Sequence, residues 1–200
     1  MRRKSLGFAL LLVGLTSLAL CLAAFVVPAR AGSQLDLTSE EVSARFAEIG
    51  EKYDVGGVLS EEDAEFVWAY GSSLADVPAA CATATVSETA TAYGTTVTLK
   101  GTVWHTGTYT YNFGGNLTGT VTSGSTPQEM TITVTCQSYG LVGTSTVVMY
   151  SGSVTHTTTG SKTVSMNKSA NYTGVALIYS INTTLDVTTS SGYGFTVNAS

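Results

Sequence analysis

The chain has 200 residues, a formal net charge of -5 and only 12% charged residues. This length allows one ordinary domain with a small addition, and the 44% of hydrophobic residues is enough for a buried core. Of the nine basic residues, four lie within the first 30 positions, so no basic patch remains to attract nucleic acid. We therefore expect no nucleic-acid partner.

Residues 1–31 have the organisation of a secretory signal peptide. Three basic residues at positions 2–4 precede an uncharged apolar run over residues 6–27, and Ala29-Arg30-Ala31 forms a small-x-small cleavage signature. Cleavage after Ala31 removes four basic residues, which changes the net charge from -5 to -9. The predicted location is secreted, that is, extracellular or periplasmic.

Two other interpretations of the N-terminus stay open. The apolar run is 22 residues long, enough to cross a bilayer, so residues 6–27 uncleaved would anchor the protein and give it its membrane contact. Residues 4–8 (Lys-Ser-Leu-Gly-Phe) resemble a type IV prepilin cleavage site between Gly7 and Phe8. That family usually carries Glu at the fifth mature position, where this chain has Leu12. The resemblance implies a pilin-like subunit that retains its N-terminal apolar helix.

Cysteine usage follows from the predicted compartment. Cys21 leaves with the signal peptide, and Cys81 and Cys136 remain as an even pair. In an oxidising compartment such a pair favours a disulfide between Cys81 and Cys136. Two separate buried thiols are the alternative.

Residues 32–77 hold eleven acidic and two basic side chains and predict an acidic helical hairpin. Thr38 with Glu41 makes a capping box, and Ser60 opens a second helix whose first turn is acidic. Apolar residues recur at helical spacing in both segments, at Val42, Phe46, Ile49 and Tyr53, then at Phe66, Val67, Tyr70 and Leu74. The acidic residues are expected to form a solvated outer face, and residues 78–80 a linker.

Residues 81–200 predict a Ser/Thr-rich β domain. Ser and Thr make up 45 of these positions, and apolar residues alternate with Thr, as over residues 130–136. Turn signals recur between the alternating segments. The predicted fold class is therefore mainly β, an antiparallel β-sandwich or alternatively a barrel-like sheet, preceded by the small helical hairpin.

The β domain offers little equipment for chemistry. Its two histidines, His105 and His156, are weak candidates for a metal site, and each is expected on the face of the Val two residues before it. If their strands paired, the two rings would meet. The carboxylates of this region are Glu88, Glu129 and Asp186. We predict no enzyme and no cofactor, because no motif for nucleophilic or phosphate chemistry occurs.

Surface residues supply the remaining candidates. Trp104, Tyr109 and Tyr111 are candidate ligand-surface aromatics, because exposed rings on a sheet bind sugars or proteins. Five of the six asparagines stand in N-x-[ST] and are candidate glycosylation sites: Asn116, Asn167, Asn171, Asn182 and Asn198.

These features together predict a secreted or cell-surface protein with a non-catalytic structural, adhesive or binding role. A cell-surface protein or a glycan is the expected partner. A membrane-inserting β protein, similar to a pore-former, is an alternative, since amphipathic Ser/Thr strands are used for such stems.

Overall fold

The structure is a computed structural model that describes residues 37–73 and 82–199. Its helices are α1 (Ser39–Lys52) and α2 (Glu61–Tyr70). Its strands are β1 (Ser72–Ser73), β2 (Ala82–Ala92), β3 (Thr95–Gly107), β4 (Thr110–Ser123), β5 (Glu129–Val142), β6 (Ser145–Thr159), β7 (Thr163–Thr173), β8 (Ile178–Thr188) and β9 (Gly194–Ala199). The predicted signal peptide, its alternatives, the linker and Cys81 lie outside the described residues.

The strands form two antiparallel sheets. Sheet A has the order β6-β5-β8, and both β1 and β9 pair with the far edge of β8. Sheet B has the order β2-β3-β4-β7. Within residues 82–199 the two sheets are not closed into a barrel, so the predicted antiparallel sandwich is confirmed and the barrel-like alternative is not found.

The core lies between the inner faces of the two sheets. Leu99 and Phe113 of sheet B and Ile132 and Leu185 of sheet A have no exposed surface and belong to one apolar cluster. Each large apolar side chain buried in this way stabilises the fold by about 1.5–3 kcal/mol. The alternation in the sequence thus places one apolar set between the sheets.

The outer faces consist of rows of hydroxyl groups. Thr89 and Thr98 share a hydrogen bond of 2.9 Å across β2 and β3, and Thr131 and Thr157 share one of 2.9 Å across β5 and β6. Thr suits these positions because its β-branched side chain favours the strand and its hydroxyl pairs with a cross-strand neighbour.

Both helices begin where the sequence predicts and pack on sheet A. The capping box of Thr38 with Glu41 is present, and Ser60 caps α2. An apolar cluster joins the helices to the sheet and contains Phe46, Ile49, Leu59, Val67, Tyr139, Val148 and Ile178. Gly50 permits the close approach of α1, because a Cβ atom there would overlap the side-chain amide of Gln137.

One acidic side chain departs from the predicted solvated face. Asp63 has no exposed side-chain surface. It accepts hydrogen bonds from Arg45 and Lys52 at 2.6 Å each, from the Tyr53 hydroxyl at 2.7 Å and from the Ser60 hydroxyl at 2.8 Å. Burial alone would raise the pKa of Asp63, but the hydrogen bonds from Lys52, Tyr53 and Ser60 outweigh it and lower the pKa to about 2. Asp63 therefore ties α1 to α2 as a buried anion.

Cys136 is buried on the inner face of β5 and forms no disulfide within residues 37–73 and 82–199. Burial raises the pKa of this thiol to about 12, so it is neutral at pH 7. Its predicted partner, Cys81, is outside the part of the chain that the structure covers, and the disulfide stays a prediction.

Candidate functional site

His105 lies inside the sandwich. It shares the inner face of β3 with Val103, as the alternation predicts, and is 2% exposed. Its Nε2 atom lies 2.7 Å from the Tyr172 hydroxyl. Its ring stacks on Tyr179 of sheet A, with centroids 4.1 Å apart and planes 10° from parallel.

The ring of His105 belongs to a stack that joins both sheets. We call this the aromatic cluster: His105, Tyr111, Tyr150, Tyr172 and Tyr179. Tyr111 stacks on His105 at 5.3 Å, Tyr172 on Tyr111 at 4.9 Å, and Tyr150 on Tyr172 at 4.2 Å. Offset ring pairs of this kind add stability beyond the area that they bury.

Burial favours the neutral forms of His105 and of three tyrosines of the aromatic cluster. Burial lowers the pKa of His105 to about 4 and raises the pKa of Tyr150, Tyr172 and Tyr179. Among the described residues, the Nδ1 atom of His105 has no hydrogen-bond partner. The arrangement is a set of polar rings inserted into an apolar core.

The two histidines, the weak candidates for a metal site, lie on strands of different sheets. His156 lies on β6 of sheet A, whereas His105 lies on β3 of sheet B, so their strands share no hydrogen bonds. Residues 37–73 and 82–199 contain no group of three or more His, Cys, Asp or Glu side chains able to hold a metal ion. The strand pairing on which a shared site of His105 and His156 depended is therefore not formed.

The three predicted ligand-surface aromatics separate in space. Tyr111 is 3% exposed and belongs to the aromatic cluster, so its assignment to a ligand surface is wrong. The reason is the alternation of strand faces, because Tyr111 lies two residues from Phe113 and shares its core-facing side. Tyr109 is 64% exposed in the turn between β3 and β4.

Trp104 lies on the outer face of sheet B and is partly exposed. Its Nε1 atom donates to Oδ1 of Asn112 at 2.7 Å, and Nδ2 of Asn112 donates to Oδ1 of Asn171 at 2.7 Å. Gly114 stands opposite Trp104 in β4, and a Cβ atom there would overlap the backbone of Lys168 and Ser169 in β7. Trp104 is therefore an aromatic surface held in place by two amides.

The surroundings of Trp104 are neutral and polar. We define the sheet B face as the outward positions of β2, β3, β4 and β7. The register places Thr83, Thr85, Thr102, Thr106, Asn116, Asn167 and Ser169 in the rows around Trp104. In the described part of these four strands, Lys100 is the one charged residue at an outward position. The face offers hydroxyl and amide groups with almost no net field.

The candidate glycosylation sites lie on the four strands β4, β7, β8 and β9. Asn116, Asn167, Asn171 and Asn198 are exposed. Asn116 and Asn167 stand directly opposite each other in β4 and β7. Asn182 is partly covered, because the Ser43 hydroxyl of α1 donates to its Oδ1 atom at 3.4 Å.

Sequence reasoning missed two of the residues that matter here. Asn112 fixes Trp104, and Tyr172 hydrogen-bonds His105, yet each contact crosses from one strand to another. Asn112 is the one asparagine outside the sequons, which is the only signal that the sequence offered for it.

No protein-family model, curated protein or solved structure matches this chain. The fold and the site therefore define the class by themselves, a two-sheet antiparallel sandwich with neutral polar outer faces and a docked helical hairpin. In the described residues no helix is long and apolar enough to cross a membrane.

Proposed function

We propose that this protein is a non-catalytic adhesive or binding module of the cell exterior. Its contact surface is the sheet B face around Trp104, and its partner is a neutral glycan of a cell surface. Trp104 carries the proposal, because it is a partly exposed ring that Asn112 holds in one orientation. A fixed ring binds with little loss of side-chain entropy, and neutral hydroxyl and amide neighbours suit the hydroxyl groups of a sugar.

Co-sedimentation with insoluble polysaccharide from the cell envelope tests this function. We expect Trp104→Ala to weaken binding at least tenfold, and Trp104→Phe, which keeps a ring but loses the hydrogen bond to Asn112, to weaken it less. Thr157→Ala removes a hydroxyl from the outer face of sheet A and serves as the control, with binding unchanged. Circular dichroism verifies folding of each variant. Equal binding by Trp104→Ala and the parent protein would refute the role of this face.

Secretion is part of the same proposal and has its own test. We expect the intact mass of the protein from its native host to correspond to a start at Gly32, with two mass units gained on reduction of a Cys81–Cys136 disulfide. A start at Phe8 would support the pilin-like alternative instead. A chain that retains Met1 would indicate an anchor at residues 6–27. An unchanged mass on reduction would rule out the disulfide.

A second candidate function, contact with a bilayer, is favoured by one end of the sandwich. Leu141 and Val142 at the end of β5 are exposed there, as are Val175 and Leu177 in the loop between β7 and β8, and neither segment contains a charged residue. The two segments contact each other, since the Leu177 amide donates to the Tyr139 carbonyl of β5 at 2.8 Å. The test is leakage of neutral phospholipid vesicles. Leakage caused by the parent protein and abolished by Val142→Asp would support insertion. The absence of leakage at high protein concentration would refute it.

A further inference from the structure

Two tyrosines form an exposed stack at the opposite end of the sandwich. Tyr93 lies in the turn between β2 and β3, and Tyr193 in the turn between β8 and β9. Their ring centroids are 4.9 Å apart and their planes 19° from parallel. The two side chains are 62% and 58% exposed. One turn from each sheet thus contributes a ring to a single aromatic surface, which we call the tyrosine pair.

The backbone at Tyr93 is strained. Tyr93 has φ +51°, and it is the one non-glycine residue with positive φ in residues 37–73 and 82–199. Gly94 follows with φ +71°, so the turn has positive φ at both central residues. Such turns favour Asn or Asp before Gly, and a bulky aromatic residue at this position is an outlier. Strain of this kind is found at sites where a side chain must be displayed in one place.

The partner turn is held rigidly and is neutral. The Thr189 amide donates to the Tyr193 carbonyl at 2.8 Å, and the Tyr193 amide donates to the Thr189 hydroxyl at 3.1 Å. The side-chain amide of Gln128 donates to the carbonyl of Ser190 at 3.3 Å. Neither turn contains a charged residue, and Ser190 and Ser191 are exposed in the same turn as Tyr193. The site therefore combines apolar ring faces with neutral hydroxyl groups.

We propose that the tyrosine pair is a binding site for a neutral saccharide. The C–H face of a pyranose ring packs on the free face of a tyrosine, and the sugar hydroxyls bond to the tyrosine, Ser190 and Ser191 hydroxyls. A charged ligand is disfavoured because no counter-charge lies in either turn. This site goes beyond the function proposed for Trp104, which lies near the other end of β3, and does not depend on it. With both sites occupied, one molecule bridges two glycan strands.

Tyr93→Asn separates a binding role from a structural one. Asn adopts positive φ more readily than Tyr, so this variant keeps or raises the melting temperature while it removes a ring. We expect it to weaken binding at least tenfold in isothermal titration with soluble β-1,4-glucan and β-1,4-linked N-acetylglucosamine hexamers. Tyr93→Phe is the matched control, since it keeps the ring and the strained backbone, and we expect it to lose no more than about threefold. Tyr193→Ala should match Tyr93→Asn.

The outcomes are distinct from those at Trp104. Hexamer binding that survives in Trp104→Ala and fails in Tyr93→Asn supports the tyrosine pair even if the Trp104 face binds nothing. Unchanged affinity in Tyr93→Asn overturns the inference, as does a parent protein that binds neither hexamer. A lower melting temperature for Tyr93→Asn with unchanged affinity would identify the stack as a structural clasp between the sheets.

Discussion

His105 is a titratable side chain placed where only its neutral form is tolerated. It is 2% exposed, its ring lies between Tyr111 and Tyr179, and Tyr172 occupies its Nε2 atom. No carboxylate belongs to the aromatic cluster. An imidazolium there would be desolvated without a counter-charge, which is why burial lowers the pKa of His105 to about 4.

Acidification should therefore destabilise the fold through His105. In the unfolded chain the pKa is about 6.5, so the unfolded state binds the proton first, and stability falls as the pH drops from about 6.5 to about 4. The shift from 6.5 to about 4 corresponds to about 3 kcal/mol. Urea unfolding at pH 7 and pH 4.5 measures the loss, and His105→Phe should remove most of it.

The control for this prediction is the second histidine. His156 lies on β6, and His156→Gln should leave the same dependence on pH between 7 and 4.5. A parent protein whose free energy of unfolding is constant over that range would contradict the prediction.

From the sequence, residue type and alternation predict which side chains of a strand face the core. They do not predict which residues of other strands those side chains contact. The alternation correctly placed His105 beside Val103, and the same rule applied to Phe113 would have placed Tyr111 in the core. The indole of Trp104 and the ring of His105 both depend on partners in other strands, Asn112 and Tyr172. Those partners follow from strand register, which is set by long-range packing and cannot be obtained from local pattern.

At the scale of elements, the helical hairpin is held together by one buried carboxylate. Asp63 at the start of α2 receives hydrogen bonds from Arg45 and Lys52 of α1. It also accepts the hydroxyl hydrogen bond of its own cap, Ser60. Removing the charge leaves two cations facing an uncharged group, so the two helices lose their common anchor.

Asp63→Asn should lower the free energy of unfolding by about 2 kcal/mol at pH 7. This is the free energy that corresponds to lowering the pKa of Asp63 from 3.8 to about 2 on folding. The folded-state pKa is depressed, so the contribution is complete above about pH 4 and is lost as the pH falls towards 2. Thermal unfolding of the variant and the parent at pH 7 and pH 2.5 measures both effects.

Glu62→Gln is the matched control for Asp63→Asn. Glu62 also pairs with Arg45, at 3.3 Å, but its side chain is 87% exposed. Exposed pairs contribute little, so this variant should stay within about 0.5 kcal/mol of the parent. Equal effects of the two substitutions would show that burial of Asp63 has no energetic consequence.

The helices were predictable as elements because their signals are local. Thr38 with Glu41, and Ser60 with its acidic first turn, mark both N-termini within four residues of sequence. The strands were predictable as segments of alternating residues, but the sequence did not predict which strands pair with each other. His105 and His156 were candidates for one site only if their strands paired, and the chain places those strands in different sheets.

At the scale of the whole molecule, a charged residue protects one open side of the sandwich, the side formed by β6 and β7. β6 is the edge of sheet A and β7 the edge of sheet B, and the Lys168 ammonium of β7 donates to the Thr155 carbonyl of β6 at 2.6 Å. Lys168 stands opposite Gly115, at an inward position of an edge strand. A charge at such a position opposes edge-to-edge association with another chain.

Lys168→Ala should increase self-association without loss of the fold. We expect sedimentation velocity to show a concentration-dependent dimer or larger species that the parent lacks, because the edge of β7 becomes available for pairing. Lys100→Ala removes the same charge from the central strand β3 and should stay in the oligomeric state of the parent. Identical sedimentation of the two variants would contradict a protective role of Lys168.

The strand order has a consequence in time. β7 completes sheet B by pairing with β4, where Thr118 and Ser165 are 47 residues apart, and β8 then joins β5 in sheet A. Each sheet therefore waits for a strand that follows part of the other sheet along the chain. Contacts over such separations make folding slow. Under the proposal that the protein is secreted, this delay favours transport, because the early strands alone do not form the closed core.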